Sequence, residues 1–151
     1  MSEGTVVEIN IAPEEAAPTH PVDRITVEVG HGVVGDRHYA PDGLAEPGHA
    51  LTLIAEEAIA EANAEDPELQ MTAGLSRRQV LTRGIGLNDL VGKRFRVGEV
   101  LCEGIELCEP CTHLQAVVGR PLLRPLVHRA GLNAAVLEGG DIAVGAIIEP
   151  C

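Results

Sequence analysis

The stretch LNDLVGKRFRVGEVLCEGIEL, residues 87–107, decides the fold class of this chain. Alternating apolar residues favour strands, and glycine between them favours turns. We interpret the stretch as a turn, a strand at Arg94–Val97, a turn at Gly98 and a second strand at Val100–Leu107. The two strands predict a β architecture for this part of the chain.

Other segments repeat the pattern on both sides of this stretch. Short strands about ten residues apart, with one good helix, are typical of barrel-like β proteins. We therefore predict a mostly β, single barrel-like domain over residues 1–151, with one or two short helices. The predicted strands are TVVEINIA (5–12), RITVEV (24–29), ALTLI (50–54), SRRQVLTRGI (76–85), which enters a turn at Gly84, and two in GLNAAVLEGGDIAVGAIIEP (131–150). The predicted helices are AEEAIAEANAE (55–65), ended by Pro67, and one or two turns in PLLRPLVHRAG (121–131).

Composition and charge exclude several classes of protein. Tyr39 and Phe95 are the only aromatic residues, and the net charge is -12. A chain with few stacking rings and a large negative charge is not expected to bind nucleic acid or an anionic membrane. The charge is uneven, because residues 1–76 hold 2 basic and 15 acidic residues, whereas residues 77–151 hold 9 and 8. An anionic ligand should therefore contact the second half.

The start of the chain shows neither a basic region nor an apolar signal core, and no stretch approaches the length of a membrane helix. We therefore expect a cytoplasmic protein. In a reducing compartment, cysteines are more often free thiols, metal ligands or catalytic groups than disulfides. The four cysteines are Cys102, Cys108, Cys111 and Cys151.

CEPCTHLQ, residues 108–115, has three interpretations: a zinc site, a redox dithiol or one working thiol. Zinc needs four ligands, and Cys108, Cys111 and His113 supply three, so zinc is not expected. A dithiol motif normally begins a helix in a βαβ unit, which this chain does not suggest. A Cys111 thiolate would be favoured by a helix start and by cations from His113 and the Arg77–Arg129 cluster. A buried structural cysteine remains the alternative.

The motifs together resemble the MOSC domain family, a module found at the C-terminus of molybdenum-cofactor sulfurases and in small stand-alone bacterial proteins. The order and spacing of the motifs carry the resemblance from Gly32 onward. The matching pieces are GVVGDRHYA (32–40), LTLIAEEAI (51–59), SRRQVLTRGIGLNDLVGKRFRVGEVLCEG (76–104), CEPCTHL (108–114) and RAGLNAAVLEGGDIAVGAII (129–148).

The resemblance implies a barrel of the MOSC type (PK β-barrel-like), the molybdenum cofactor (molybdopterin), and Cys111 as the functional thiol. That thiol would ligate molybdenum or carry sulfur as a persulfide, with Cys108 and His113 as assisting groups. The implied partners are a cysteine-desulfurase-type donor, which is a pyridoxal phosphate enzyme, and a molybdoenzyme or metal-cluster recipient. Two further interpretations stay open: molybdenum-dependent reduction of N-hydroxylated compounds, and a non-enzymatic binding module. The chain departs from the family at Gln79, where Asn is common, and at Ala146, where Asp is common.

The resemblance also directs the search for groups that would hold the cofactor. Glycine lets backbone N–H groups approach an oxyanion that arginine binds through two nitrogens. We therefore expect phosphate contacts from Arg83 with Gly84 and from Arg129 with Gly131. The turn in GVVGDRHYA offers Asp36, Arg37 and His38 as one wall of the pocket, although Asp36 could instead cap its own turn.

Overall fold

The computed structural model describes residues 3–14, 17–46, 50–108 and 131–151. Within these residues the chain forms eleven β-strands, two α-helices and one 3₁₀ helix. The strands are β1 Gly4–Ile11, β2 His20–Val22, β3 Arg24–Glu28, β4 Gly32–Val33, β5 Leu51–Ala55, β6 Val80–Arg83, β7 Arg94–Val97, β8 Val100–Leu107, β9 Leu132–Glu138, β10 Gly140–Ala143 and β11 Ile147–Pro150. The helices are α1 Glu56–Glu65 and α2 Ala73–Ser76, and the 3₁₀ helix is Leu87–Leu90.

Seven of the described strands close into a barrel. Their hydrogen-bonded order is β11-β7-β8-β9-β5-β6-β1, and β1 pairs back with β11. Neighbours are antiparallel except β5 and β6, which are parallel. A parallel pair needs a long crossover, and this one contains α1 and α2. The predicted mostly β barrel with one or two short helices is confirmed.

The interior of the barrel is filled by aliphatic side chains around one ring. Phe95 is fully buried, and β8 and β9 point alternate residues inward. This alternation is what places one face of each strand in a core. The interior residues of these two strands and β7 are Phe95, Val97, Val100, Cys102, Leu132, Ala134 and Val136.

A second apolar layer lies between α1 and the outer face of the parallel pair. Ile59 and Ala62 of α1 pack with Ile54 and Leu81, so both faces of β5 and β6 are covered. Strands covered on both faces read as continuous apolar runs, as LTLI and VL do here. No helix in the described part of the chain has the length and apolar character needed to cross a bilayer.

A smaller sheet, β10-β3-β4, packs beside the barrel and carries the loop that holds Asp36. Val27 and Val33 pair across β3 and β4, and Ile25 pairs with Ile142 of β10. All four are buried in the same cluster as the barrel interior. The loop after β4 therefore starts from a fixed point in the core.

Three sequence expectations differ from the observed elements. No strand was predicted between residues 12 and 24, but β2 pairs its residues His20–Val22 with Ile9, Asn10 and Ile11 at the end of β1. Residues 131–150 form three strands rather than two, because a turn at Gly145 (φ 94°) returns the chain as β11. Neither long-range pairing is visible in a local pattern of residues.

The third difference concerns the start of SRRQVLTRGI. Ser76 closes α2, whose Thr72 side chain accepts a hydrogen bond from the Leu75 N–H at 3.2 Å. Arg77 then adopts a left-handed conformation (φ 61°, ψ 15°), and β6 begins at Val80. An N-cap and a left-handed C-cap are the ordinary ends of a helix. The helical turns predicted within residues 121–131 fall almost wholly outside the described residues, of which only Gly131 is described.

We expect Gly104→Ala to destabilise the barrel more than Gly92→Ala. A Cβ at Gly104 would lie 2.1 Å from the Leu90 carbonyl oxygen, in the backbone of the 3₁₀ helix. Overpacking against backbone costs about 3 kcal/mol or more. Gly92 has a positive φ of 77° but open space, so its cost should be about 1 kcal/mol. Urea unfolding measures both free energies, and equal losses would contradict the close packing.

We expect Cys102 to resist alkylation in the folded protein. Burial, followed by the nearby Cys151, raises the pKa of Cys102 to about 12, so its thiol is neutral at pH 8. Only the thiolate reacts with iodoacetamide. Cys151 is exposed and serves as the internal control. Mass spectrometry should find label on Cys151 in the native protein and on both in urea; equal native labelling would contradict the burial.

Candidate functional site

Asp36 is a buried carboxylate at the centre of a polar cluster. Its Oδ1 accepts the Ala12 N–H at 3.0 Å, and its Oδ2 accepts the Gln79 side-chain amide at 2.8 Å. Oδ2 also accepts the His38 backbone N–H at 3.3 Å, so the carboxylate caps its own turn. Buried polar groups persist when they are bonded in this way. The predicted residues Asp36, Arg37 and His38 therefore share one loop around a fixed carboxylate.

Arg37 is held from both ends. Its backbone N–H donates to the Ala12 carbonyl at 2.7 Å. Its Nη1 lies 3.8 Å from Asp36 Oδ1, and its Nη2 donates to the Arg77 carbonyl at 3.5 Å. The side chain is 12% exposed. The Arg37 guanidinium consequently lies beside the backbone carbonyl of Arg77, with one edge turned to Asp36.

Arg77 is the second arginine of this cluster, and its residue is 9% exposed. Its Nη1 donates to the Ala17 carbonyl at 2.6 Å, whereas its Nη2 is buried without a hydrogen-bond partner in the described part of the chain. Burial, followed by repulsion from Arg37, lowers the pKa of Arg77, and the Asp36 carboxylate acts in the opposite direction. A buried donor left unpaired costs about 1–3 kcal/mol. Arg77 thus lies within electrostatic range of Arg37 and Asp36, with one of its own donors unsatisfied.

From the sequence, Arg77 was expected as a cation that favours the Cys111 thiolate, but it was not selected for phosphate contact. The local signal that could have raised its rank is its place after a capped helical turn, where a left-handed non-glycine residue is uncommon. Its burial and its distance to Arg37 arise from contacts 40 residues apart and have no local signature.

Arg83 and Gly84, which we predicted to contact an anion, lie at the opposite end of β6 from Arg77. Arg83 Nε and Nη2 donate to the two Glu56 carboxylate oxygens at 2.6 and 3.1 Å. The Gly84 N–H donates to Glu57 at 2.8 Å. The hydrogen bond from Arg83 also lowers the pKa of Glu56. These groups therefore already bind carboxylates of α1.

Gly131 and Cys108 meet at the end of β8. The Cys108 N–H donates to the Gly131 carbonyl at 2.8 Å, and its thiol donates to Asn133 Oδ1 at 2.7 Å. Gly131 has φ 110°, and a Cβ there would lie 2.1 Å from the Leu53 carbonyl oxygen. Because Gly131 has no side chain, its backbone can lie close to the backbone of Leu53. The predicted residues Cys111, His113 and Arg129 lie outside the described residues.

The described residues also line an open cavity of about 570 Å³ between α1 and the turn after β6. Its charged side chains are Glu57 and Glu61, so it does not suit an anion. The arginine pair is not part of its wall. The cavity is lined by Ala55, Glu57, Ala58, Glu61, Gly84, Ile85, Gly86, Leu87, Asn88 and Gly131. No group of three or more His, Cys, Asp or Glu side chains in the described ranges could hold a metal ion.

Solved structures of similar fold include YuaD from Bacillus subtilis, with a TM-score of 0.85 and 16% identity over 99% of this chain and 96% of that chain. YiiM from Geobacillus stearothermophilus has a TM-score of 0.74 and 17% identity, covering 98% and 75%. YiiM from Escherichia coli has a TM-score of 0.67 and 19% identity, covering 98% and 68%. At these identities the likeness is one of fold.

Among curated proteins, none matches this sequence. The MOSC domain family matches residues 35–149, a range that includes Asp36, Arg37, Arg77 and Gln79. That range is well over half of the 151 residues. The chain therefore belongs to the MOSC domain family, as its motifs suggested.

Proposed function

We propose that this protein binds the molybdenum cofactor and that Arg37 and Arg77 hold the phosphate of its pterin. The MOSC family is a molybdenum-cofactor-related family, and the chain belongs to it. The observation that carries the proposal is the buried Nη2 of Arg77, which has no partner among the described residues. A donor of this kind in a natural protein calls for an acceptor from elsewhere.

A phosphate fits the chemistry of this donor set. Guanidinium groups bind phosphate oxygens through paired N–H donors, and the bonds strengthen where water is excluded. Arg37, Arg77 and Asp36 together carry one surplus positive charge. An anion placed between the arginines would accept the bond from Nη2 and offset both the burial and the repulsion from Arg37 that lower the pKa of Arg77. Both effects favour the occupied state.

The rest of the described surface supports this choice over the site that the glycine pattern predicted. Arg83 is paired through two hydrogen bonds with Glu56, and the neighbouring cavity carries Glu57 and Glu61. A phosphate there would have to displace a carboxylate of the protein. At Arg77 Nη2 it would displace no hydrogen-bond partner among the described residues.

When bound, the molybdenum cofactor supplies a metal centre that transfers electrons and oxygen or sulfur atoms. The described residues of this chain bind and orient that group. Arg77 would donate Nη2 to the phosphate, Arg37 would lie beside it, and Asp36 holds Arg37 in place. The buried surroundings exclude water from these contacts and so strengthen them.

We expect Arg77→Gly to lose the cofactor without losing stability. Glycine tolerates φ 61° and ψ 15° without strain, so the free energy of unfolding should stay within about 1 kcal/mol of the parent. The fraction of protein that holds the cofactor should fall about tenfold, which is equivalent to the loss of one charge-assisted hydrogen bond. Molybdenum content and pterin fluorescence of protein from a cofactor-producing host measure occupancy.

Arg83→Ala is the matched control, because it removes one positive charge at the other end of β6. This variant should keep the occupancy of the parent. Equal loss in the two variants, or full occupancy in Arg77→Gly, would contradict the proposed phosphate site.

The family resemblance adds Cys111 to the proposal as molybdenum ligand or sulfur carrier. In the second role, the Cys111 thiolate attacks the outer sulfur of a persulfide on a cysteine-desulfurase-type donor, and the donor leaves as a thiolate. Cys111 then holds the sulfur as a persulfide for a molybdoenzyme or metal-cluster recipient. This exchange needs no outside oxidant. We propose that this sulfur transfer takes place in the cytoplasm.

Mass spectrometry of the protein after incubation with such a donor tests this role. The parent should gain the mass of one sulfur atom, reversed by a reducing thiol. Cys111→Ser should not gain it, whereas Cys108→Ser should, because the described Cys108 thiol is buried and bonded to Asn133. Persulfide on Cys111→Ser, or none on the parent, would exclude the sulfur-carrier role.

A further inference from the structure

We infer that Gln79 is a positioning residue that fixes Arg37 beside Arg77 by holding Asp36. This inference rests on the proposed function of the arginine pair as an anion site. Within the described part of the chain, the Gln79 side chain makes no hydrogen bond to either arginine. It acts through the Asp36 carboxylate, which lies beside Arg37 and acts electrostatically on Arg77.

The side-chain amide of Gln79 spans two fixed groups. Its Oε1 accepts the Thr52 N–H at 2.9 Å, and its Nε2 donates to Asp36 Oδ2 at 2.8 Å. The backbone of Gln79 is held as well, because its N–H donates to Thr52 Oγ1 at 3.0 Å and its carbonyl accepts the Asn10 N–H at 2.8 Å. An N–H on one side and a carboxylate on the other fix which end of the amide is which. The amide is therefore a rigid link between β5 and Asp36.

Asp36 transmits this position to Arg37. The Asp36 side chain is fully buried, and its Oδ1 lies 3.8 Å from Arg37 Nη1. Burial is the main cause of the lowered pKa of Arg77, and repulsion from Arg37 adds to it. A carboxylate fixed near both offsets that repulsion in the absence of ligand. A carboxylate that moved away would let Arg37 turn toward water, since its side chain is already partly exposed.

Neither a shorter amide nor a second carboxylate can link Thr52 to Asp36 in this way at neutral pH. Asparagine is one methylene shorter and cannot reach both Thr52 N and Asp36 Oδ2 from the same backbone position. Glutamate keeps the length and the acceptor for Thr52, but it places an oxygen against Asp36 Oδ2. Two carboxylates in such contact share one proton when the pH falls. Gln79→Glu is thus a variant in which the link is broken at neutral pH and restored by acid.

The test measures binding of inorganic sulfate, which stays a dianion from pH 5 to pH 8, to the parent, Gln79→Glu and Gln79→Asn. At pH 7.5 both variants should bind sulfate about tenfold more weakly, the equivalent of one charge-assisted hydrogen bond. At pH 5 the affinity of Gln79→Glu, relative to the parent, should return to within about threefold, and that of Gln79→Asn should not. Arg37 and Arg77 carry charge beside the pair, and His38 and Glu8 are titratable groups nearby. Dividing the sulfate affinity of each variant by that of the parent at the same pH removes the contribution of these groups.

Arg77→Gly separates failure of this inference from failure of the proposed function. Sulfate binding by the parent that does not depend on Arg77 would overturn the proposed site itself. Arg77-dependent binding with Gln79→Glu equal to the parent at pH 7.5 would overturn only the inference. Equal weakness of Gln79→Glu at both pH values would also overturn it, because a general loss of packing has no reason to recover on protonation.

Discussion

The pairing of β1 is the constraint on which the rest of the structure depends. One edge of β1 pairs with β6, while the other edge serves two strands in succession. Gly4 and Thr5 pair with β11 and close the barrel, and Ile9 to Ile11 pair with β2. An irregularity between Val6 and Glu8 lies where the partner changes, and such bulges bend a strand and increase its twist. The first residues of β1 therefore close the barrel, and its last residues pair with β2 instead.

The same arrangement creates the candidate site. At Ala12, just past the end of β1, the backbone still has an N–H and a carbonyl to satisfy. The Asp36 carboxylate accepts that N–H, and the Arg37 N–H donates to that carbonyl. The loop thus continues the ladder where a strand would otherwise be needed. Asp36 and Arg37 are therefore fixed by the hydrogen-bonding needs of the barrel rim, and the proposed anion site would use a position that the fold already requires.

Local patterns predicted the elements that local chemistry determines. Arg94–Val97, Val100–Leu107 and the helix before Pro67 occur within one residue of expectation, since alternation and a glycine or proline boundary define them. The site was predictable only in part. Asp36 and Arg37 stood out in a glycine-flanked turn, but Arg83 was preferred over Arg77. Glu56, which pairs with Arg83, lies 27 residues away, and Ala17, whose carbonyl accepts a hydrogen bond from Arg77 Nη1, lies 60 residues away. Tertiary contacts, rather than residue type or neighbouring glycine, decide which arginine lacks a partner.

The distribution of charge along β6 separates two environments that the net charge of -12 conceals. At its carboxyl end, Glu56, Glu57 and Glu61 give an acidic surface, and Arg83 is already paired there. Before its first residue, Arg77 carries an unsatisfied donor and a strained left-handed backbone. Strain and unpaired donors persist where the surrounding structure fixes them, and they reduce stability unless a ligand bound only by the folded state offsets the loss. An acidic protein also repels anions at long range, so weak and non-specific anions are held off. Only an anion that gains from close contact with both guanidinium groups would overcome that repulsion, and this requirement would make the proposed site selective rather than merely basic.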